Sequence, residues 1–259
     1  MDIASLIGVF FGAGMILLGQ LLEGGRAESL LQVTAAVIVL GGTTGAILLQ
    51  FHPNVIIRAI GGLKTIFFGE KTDAVGLITQ IVEFARRARR EGILALEKEI
   101  PNIQDPFFSK ALSMAVDGLE PKTLNETMET EIATIEEEWK EKAEVFEAAG
   151  GYLPTVGIIG AVVGLIHVME NLSAGIDAVG EGIAVAFVAT VYGVGSANLL
   201  ALPMSGKLKA AGARVVKIKD MTLKGVLLIQ EGINHSIIEE ELKGYLDDKT
   251  RAKMSSSAE

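Results

Sequence analysis

The distribution of charge along the chain divides it into blocks. Four windows, 3–22, 30–51, 148–166 and 182–204, contain no Asp, Glu, Lys or Arg. A bilayer core about 30 Å thick needs ~20 apolar residues per crossing helix, and each window is close to that length. Between and after them the pattern changes to apolar positions at helical spacing in charged surroundings. Residues 54–68 and 74–88 both read as amphipathic helices, the second with Val75, Ile78, Ile81, Val82 and Ala85 on one stripe. A break is expected at 69–73. Pro101 to Pro106 marks a turn and 107–118 a further helix. An acidic helix is expected over 123–147, with Thr123 and Glu126 at capping-box spacing, leading straight into the third apolar window. A last helix is expected over 223–246, then a disordered MSSSAE terminus.

The pattern predicts an all-α polytopic membrane protein with four transmembrane helices. Its parts are hairpin 1–51 (helices 1 and 2), a helical insertion 52–147, hairpin 148–206 (helices 3 and 4) and a helical tail 207–259. The first window has no basic residue before it and is too long for a signal peptide, so it is read as a retained helix. Composition agrees: 49% of the 259 residues are hydrophobic and mean hydropathy is +0.42, yet 21% are charged. Lys and Arg set the orientation. Residues 51–147 carry 12 of the 23 and the tail from Ser205 carries 10, leaving Arg26 alone in the short connections. Both termini and the insertion are therefore expected in the cytoplasm, with 23–29 and 170–181 outside.

Gly8 and Gly12 in helix 1, and Gly41 and Gly45 in helix 2, stand at the small-xxx-small spacing that lets membrane helices approach closely. His52 before Pro53 reads as an interfacial residue rather than a ligand. The insertion holds four arginines in five residues, Arg86, Arg87, Arg89 and Arg90, which repel one another unless acids or a partner answer them. Below helix 4, Lys207, Lys209, Arg214, Lys217 and Lys219 form a basic stretch that anionic lipid headgroups would attract.

The chemistry is defined partly by what is missing. Proton relays and cation sites inside membranes use carboxylates, and the four windows have none. Titratable groups there reduce to Tyr152, Tyr192 and the peripheral His167. A cation moved by this protein would need its carboxylate from another chain. The hairpin itself supplies two hydroxyls, Thr155 and Thr190, each able either to bond its own helix or to line a polar path. Pro154 and Pro203 read as first-turn prolines or as kinks, the kink being the clearer reading for Pro203. No cysteine is present, so thiolate metal sites and Cys nucleophiles are excluded, and a net charge of −9 does not suggest a nucleic-acid binder. No metal cluster, nucleophile–base pair or phosphate loop points to an enzyme, and no cofactor is expected.

Read in order, MDIASLIG, VLGGTTGA, ARREGILALEKEI, VDG at 116–118, PTVGIIGAVVGLIHVM and GIAVAFVATVYGVGSANLLALP make the chain resemble the A subunit of the bacterial flagellar stator, the MotA/PomA family. The resemblance covers nearly the whole chain. It implies an ion-channel and torque subunit in the bacterial inner membrane, five copies surrounding two B subunits that each supply an ion-carrying aspartate. It places helices 3 and 4 toward the B helices and helices 1 and 2 toward lipid. It further implies rotor-contacting charges at Arg89 and Glu97, directed at the switch protein of the flagellar C ring, coupling prolines at Pro154 and Pro203, and channel hydroxyls at Thr155 and Thr190. On an unbroken helix Arg89 and Glu97 would lie about 80° apart whereas Arg90 and Glu97 nearly align, which keeps Arg90 and Arg86 in view. His235 stands where the family's tail would have proline. Ala189 rather than a second hydroxyl precedes Thr190, which favours protons over Na⁺. The runner-up is an energiser subunit of the ExbB/TolQ kind; those resemble a three-helix design, and the additional hairpin argues against it.

Overall fold

The computed structural model describes residues 3–68, 73–172 and 176–256. Among them it is helical throughout, with no strand: α1 (Ile3–Leu22), α2 (Val33–Ala36), α3 (Gly42–Gln50), α4 (Pro53–Phe68), α5 (Ala74–Glu91), α6 (Pro106–Val116), α7 (Pro121–Glu170), α8 (Ile176–Ser196), α9 (Leu202–Gln230), α10 (His235–Lys243) and α11 (Asp248–Ser256). α2 and α3 are joined by the π-helical turn Val37–Gly41, and α8 and α9 by a second one, Ala197–Ala201. Four stretches are long and apolar enough to cross a membrane: Ala4–Leu22, Ala27–Gln50, and parts of Pro121–Glu170 and Gly182–Gln230. The four-span, all-α reading holds. The expected break at 69–73 and the end of the tail at 257–259 fall largely outside the described residues.

The chain forms two compact units. One comprises Met1–Glu70 and Trp139–Ala211, the other Lys71–Glu138 and Gly212–Glu259. In the first, α1 leaves Phe10, Phe11 and Leu22 outward and exposed, Leu22 at 80%. An apolar surface of that extent is stable only against lipid or protein. His52 caps α4: its carbonyl accepts from Val55 and Ile56, and its Nδ1 accepts from Asn54 N at 3.3 Å. Pro53 follows at the first helical position, where its missing N–H costs nothing.

The second unit has an ordinary hydrophobic core. Ile78 and Ile81 of α5, Phe108 and Leu112 of α6, Leu124 and Met128 of α7, Met221 and Val226 of α9, and Ile238 and Leu242 of α10 are all buried there. Asp73 caps α5 by accepting from Gly76 N, and Asp105 caps α6 by accepting from Phe107 N and Phe108 N. Gly225 lets α9 close on α5, since a Cβ there would stand 2.8 Å from Ile81 Cγ2.

Three boundaries differ from expectation. The acidic helix begins at Pro121, so Thr123 lies inside it and is not the cap; proline at the first position is pre-set for a helix and outweighs the capping-box spacing. The last predicted helix is two elements, α9 ending at Gln230 just before Gly232, which takes φ +72°, and α10 restarting at His235. Asn234 caps α10 by accepting from Ser236 N. His235 thus occupies the first helical position, the place where proline is favoured, and the side-chain cap supplies the turn that proline would have pre-set. Finally, Met254 to Ser256 belong to α11 rather than to a disordered end.

Candidate functional site

The hairpin of α7 and α8 is assembled backbone against backbone. A Cβ on Gly193 would stand 2.5 Å from the Leu153 carbonyl oxygen, and one on Gly157 2.9 Å from that of Ala189. Gly160 meets Ala189, Gly164 meets Ala186 and Gly182 meets Val168 at similarly short range. Close approach without side chains maximises dispersion contact where lipid offers no hydrophobic drive. These are not the glycines singled out from the sequence. Gly8, Gly41 and Gly45 have open space around a notional Cβ, and Gly12 meets only the Leu199 side chain. The signal was available in GIIGAVVG, whose glycines repeat every three or four residues.

That packing leaves the opposite face of the hairpin outward. On α7 it shows Thr155 with Ile158, Ile159 and Val162, and on α8 it shows Phe187, Val191 and Val194, with Thr190 half-buried beside them. Each hydroxyl donates to its own helix: Thr155 Oγ1 to the Tyr152 carbonyl at 2.9 Å, Thr190 Oγ1 to that of Ala186 at 3.3 Å. A hydroxyl has one proton and two lone pairs, so donating inward leaves its oxygen able to accept from water or to meet a cation. The two tyrosines have a different use. Tyr192 OH donates to the Leu30 carbonyl at 2.6 Å and accepts from Gln32 N, while Tyr152 OH donates to Gln50 Oε1 at 2.8 Å. They pin the two ends of the second span to the hairpin. His167 bonds Asn171 one turn on, at the far end of α7.

Pro154 lies inside α7, a helix of 50 residues, so it is an internal proline. It removes the N–H that would serve the Gly150 carbonyl and crowds that carbonyl with its ring. Pro203 is exposed and lies two residues after the end of the π-turn Ala197–Ala201. A π-turn widens the ladder by one residue and is a recognised site of helix bending.

In the other unit the charged cluster is sorted by burial. Arg87 binds Glu99 and, at 3.3 Å, Glu91; hydrogen bonds to Glu99 and then Glu91 reinforce its positive charge. Arg86, Arg89, Arg90 and Glu97 are exposed. Gly92, with φ +86°, ends α5 at Glu91, and a 3₁₀ turn, Ile93–Leu96, precedes Glu97. Arg89 and Glu97 therefore do not share a helix, and the angular objection to pairing them does not apply. Sequence reasoning missed the Arg87–Glu99 pair because that break puts Glu99 within reach.

The fold is that of a multi-pass helical membrane protein, and its relatives place it further. The model of the MotA/TolQ/ExbB proton channel family matches residues 99–221, and that of the motility protein A N-terminal region matches 6–92. Motility protein A of Bacillus subtilis (strain 168) is 35% identical over 261 residues, covering 100% of this chain and 96% of its own. The C. jejuni MotAB structure superposes with TM-score 0.91 at 33% identity, over 96% of this chain and 97% of that one. The flagellar MotAB stator complex from Bacillus subtilis gives 0.87 at 34%, over 96% and 98%. The chain belongs to the MotA/TolQ/ExbB proton channel family. Within it, the match to the motility-specific N-terminal region and the full-length relatives make it a flagellar stator subunit of the motility protein A kind.

Proposed function

We propose that this stator subunit supplies one wall of a cation path and the lever that the path drives. The carrying observation is the outward face of α7 and α8, apolar apart from Thr155 and Thr190, in a protein with no carboxylate in residues 3–22, 30–51, 148–166 or 182–204. Such a wall can shape a path and solvate a passing ion but cannot bind and release one. A carboxylate on a second chain completes it, and both solved relatives are MotAB structures. On this reading an aspartate of a B subunit faces Thr155 and Thr190, several copies of this chain (five by resemblance) surround the B helices, and α1 faces lipid.

The positive-inside distribution puts both termini and the insertion in the cytoplasm, across the bacterial inner membrane. Charge changes at the aspartate alter how the wall packs. Pro154, internal to α7, and Pro203, beside a π-turn, are where these helices yield at least cost. Arg89, Arg90 and Glu97, left exposed while Arg87 is paired, meet the rotor's switch protein. The translocated ion is a proton rather than Na⁺, because Thr190 follows Ala189 and the wall offers few oxygens. No observation here favours the ExbB/TolQ energiser reading.

Swimming speed measured across external sodium concentrations, with and without a protonophore, tests this. Speed that is independent of sodium and abolished by the protonophore is expected. Speed that follows sodium and survives the protonophore would reassign the ion, and a deletion strain that swims normally would remove the function.

A further inference from the structure

Gly8 stands at the small-residue spacing of α1, yet a Cβ on it would meet nothing within 4 Å. It is therefore not a glycine that lets another helix of this chain approach. It lines a cleft of about 380 Å³ inside the first unit, a volume within the range of small-molecule sites. α1 forms one wall, the end of α4 a second, and residues 198–207 the third. Val9, Phe67, Leu199, Leu200 and Met204 make the lining mainly apolar. It extends from Asn198 to Lys207, about 13 Å at the ordinary rise of a helix.

The charge lies at one end. Lys207, half-buried, donates to Ser5 Oγ, which in turn donates to the Ile66 carbonyl at 3.5 Å. Asn198, toward the other end, is engaged by its own helix and donates to the Val194 carbonyl at 2.9 Å. Ser5 stands near the start of the first apolar window, and Lys207 is the first charged residue after the fourth. In the orientation given above, both lie at the cytoplasmic boundary of the membrane. The cleft thus joins an apolar slot at lipid depth to a cation at the level of the headgroups. A second copy of this chain would bring to the slot an uncharged span and no anion at that depth. A phospholipid brings both an acyl chain and a phosphate. Lysine meets phosphate as a point charge, and the cytoplasmic leaflet carries anionic lipid.

We propose that the cleft is a binding site for an anionic phospholipid of the cytoplasmic leaflet, with its phosphate at Lys207 and an acyl chain along Gly8 and Leu200. The lipid then packs against Pro203, which also lines the cleft, beside the bend between α8 and α9. The site rests on the stator reading for its orientation in the membrane and not for the ion path.

The test uses the whole complex of this chain with its B subunit, reconstituted in vesicles of equal parts phosphatidylglycerol and phosphatidylcholine. The complex is extracted and washed in detergent, and the lipid that stays bound is counted by native mass spectrometry. Phosphatidylglycerol should be retained in preference to phosphatidylcholine. Lys207→Gln should lower its retention about fivefold, the factor for one lysine at an anionic surface, and Lys207→Arg should keep it. Gly8→Leu fills the slot with a side chain and should displace the lipid while the complex keeps its size. Equal retention of the two lipids, or wild-type retention in Lys207→Gln, overturns the proposal. So does a complex that Gly8→Leu breaks apart, since the cleft would then be a contact between copies. If Lys207→Gln does not assemble, Gly8→Leu decides by the same count. Proton flux through the same vesicles separates the two readings: a wild-type complex that conducts but shows no preference for phosphatidylglycerol loses the lipid site and keeps its role as a stator.

Discussion

Gly150 lies directly beneath Leu202: a Cβ on the glycine would stand 2.5 Å from Leu202 Cδ2. Gly150 is the residue whose carbonyl Pro154 deprives of its donor, and Leu202 immediately precedes Pro203. The two interrupted helices are therefore in contact through the residues most affected by their interruptions. Gly150→Val should force Leu202 aside and slow ion-driven rotation severalfold. Leu202→Ala, which removes the obstructing methyls, should recover much of that speed in the double variant. Motor speed in the two single variants and the double variant measures the coupling, and additive effects would show that the contact carries none.

The glycines of the hairpin are predicted to differ sharply from those of the first two spans. Gly193→Ala places a methyl against the Leu153 carbonyl, which is backbone and cannot rotate away. Overpacking of this kind costs about 1–3 kcal/mol, so the variant complex should melt several degrees lower and be recovered in reduced amount. Gly41→Ala and Gly45→Ala meet nothing within 4 Å in this chain. They should leave the folding of the subunit unchanged, as read by melting temperature.

Much of the fold was legible because lipid leaves the sequence few options. A span must be apolar, so all four were visible as uncharged windows, and internal prolines could be recognised once α7 was seen to run through Pro154. What was not legible depends on three-dimensional proximity. Spacing alone pointed to Gly8, Gly12, Gly41 and Gly45, whereas the close contacts fall on Gly157, Gly160, Gly164, Gly182 and Gly193. The two π-turns have no compositional mark. The relation of Arg89 to Glu97 turned on whether the chain bends at Gly92, and whether a glycine takes positive φ is decided by its surroundings. Gly232 divided the tail in the same way.

Charge at the proposed rotor surface should separate by partner. Arg89→Glu or Glu97→Lys reverses an exposed charge that holds no fold contact of note, so rotation should weaken while the subunit still assembles in the membrane. Arg87→Glu instead faces Glu99 and Glu91 with a like charge and should lower the melting temperature as well. Swimming speed and membrane-fraction yield, measured together for the three variants, distinguish the two outcomes. Equal losses of yield in all three would make the cluster structural.

Asp220 gives a dependence on pH in the second unit. Partial withdrawal from water, then the fields of Glu136 and Glu129, raise its carboxyl above the usual range. A carboxyl that binds its proton more tightly folded than unfolded adds stability as pH falls through its raised pKa, and when ionised it opposes folding. Asp220→Asn should therefore raise the melting temperature at pH 7, and the difference from wild type should vanish as the pH falls into the carboxylate range. The side chain is largely exposed, so solvent keeps the effect small. A melting difference that grew toward acid pH would contradict the sign.

The central claim is that the α7–α8 face is half of a site. Proton flux into sealed vesicles under an imposed gradient tests it directly, with this chain reconstituted alone, together with its B subunit, and together with a B subunit whose membrane aspartate is replaced by asparagine. Flux is expected only in the second preparation, and Thr190→Ala in this chain should change its rate without changing the amount of complex. Comparable flux from this chain alone would show that the wall is a complete channel and that no second chain is needed to carry the ion.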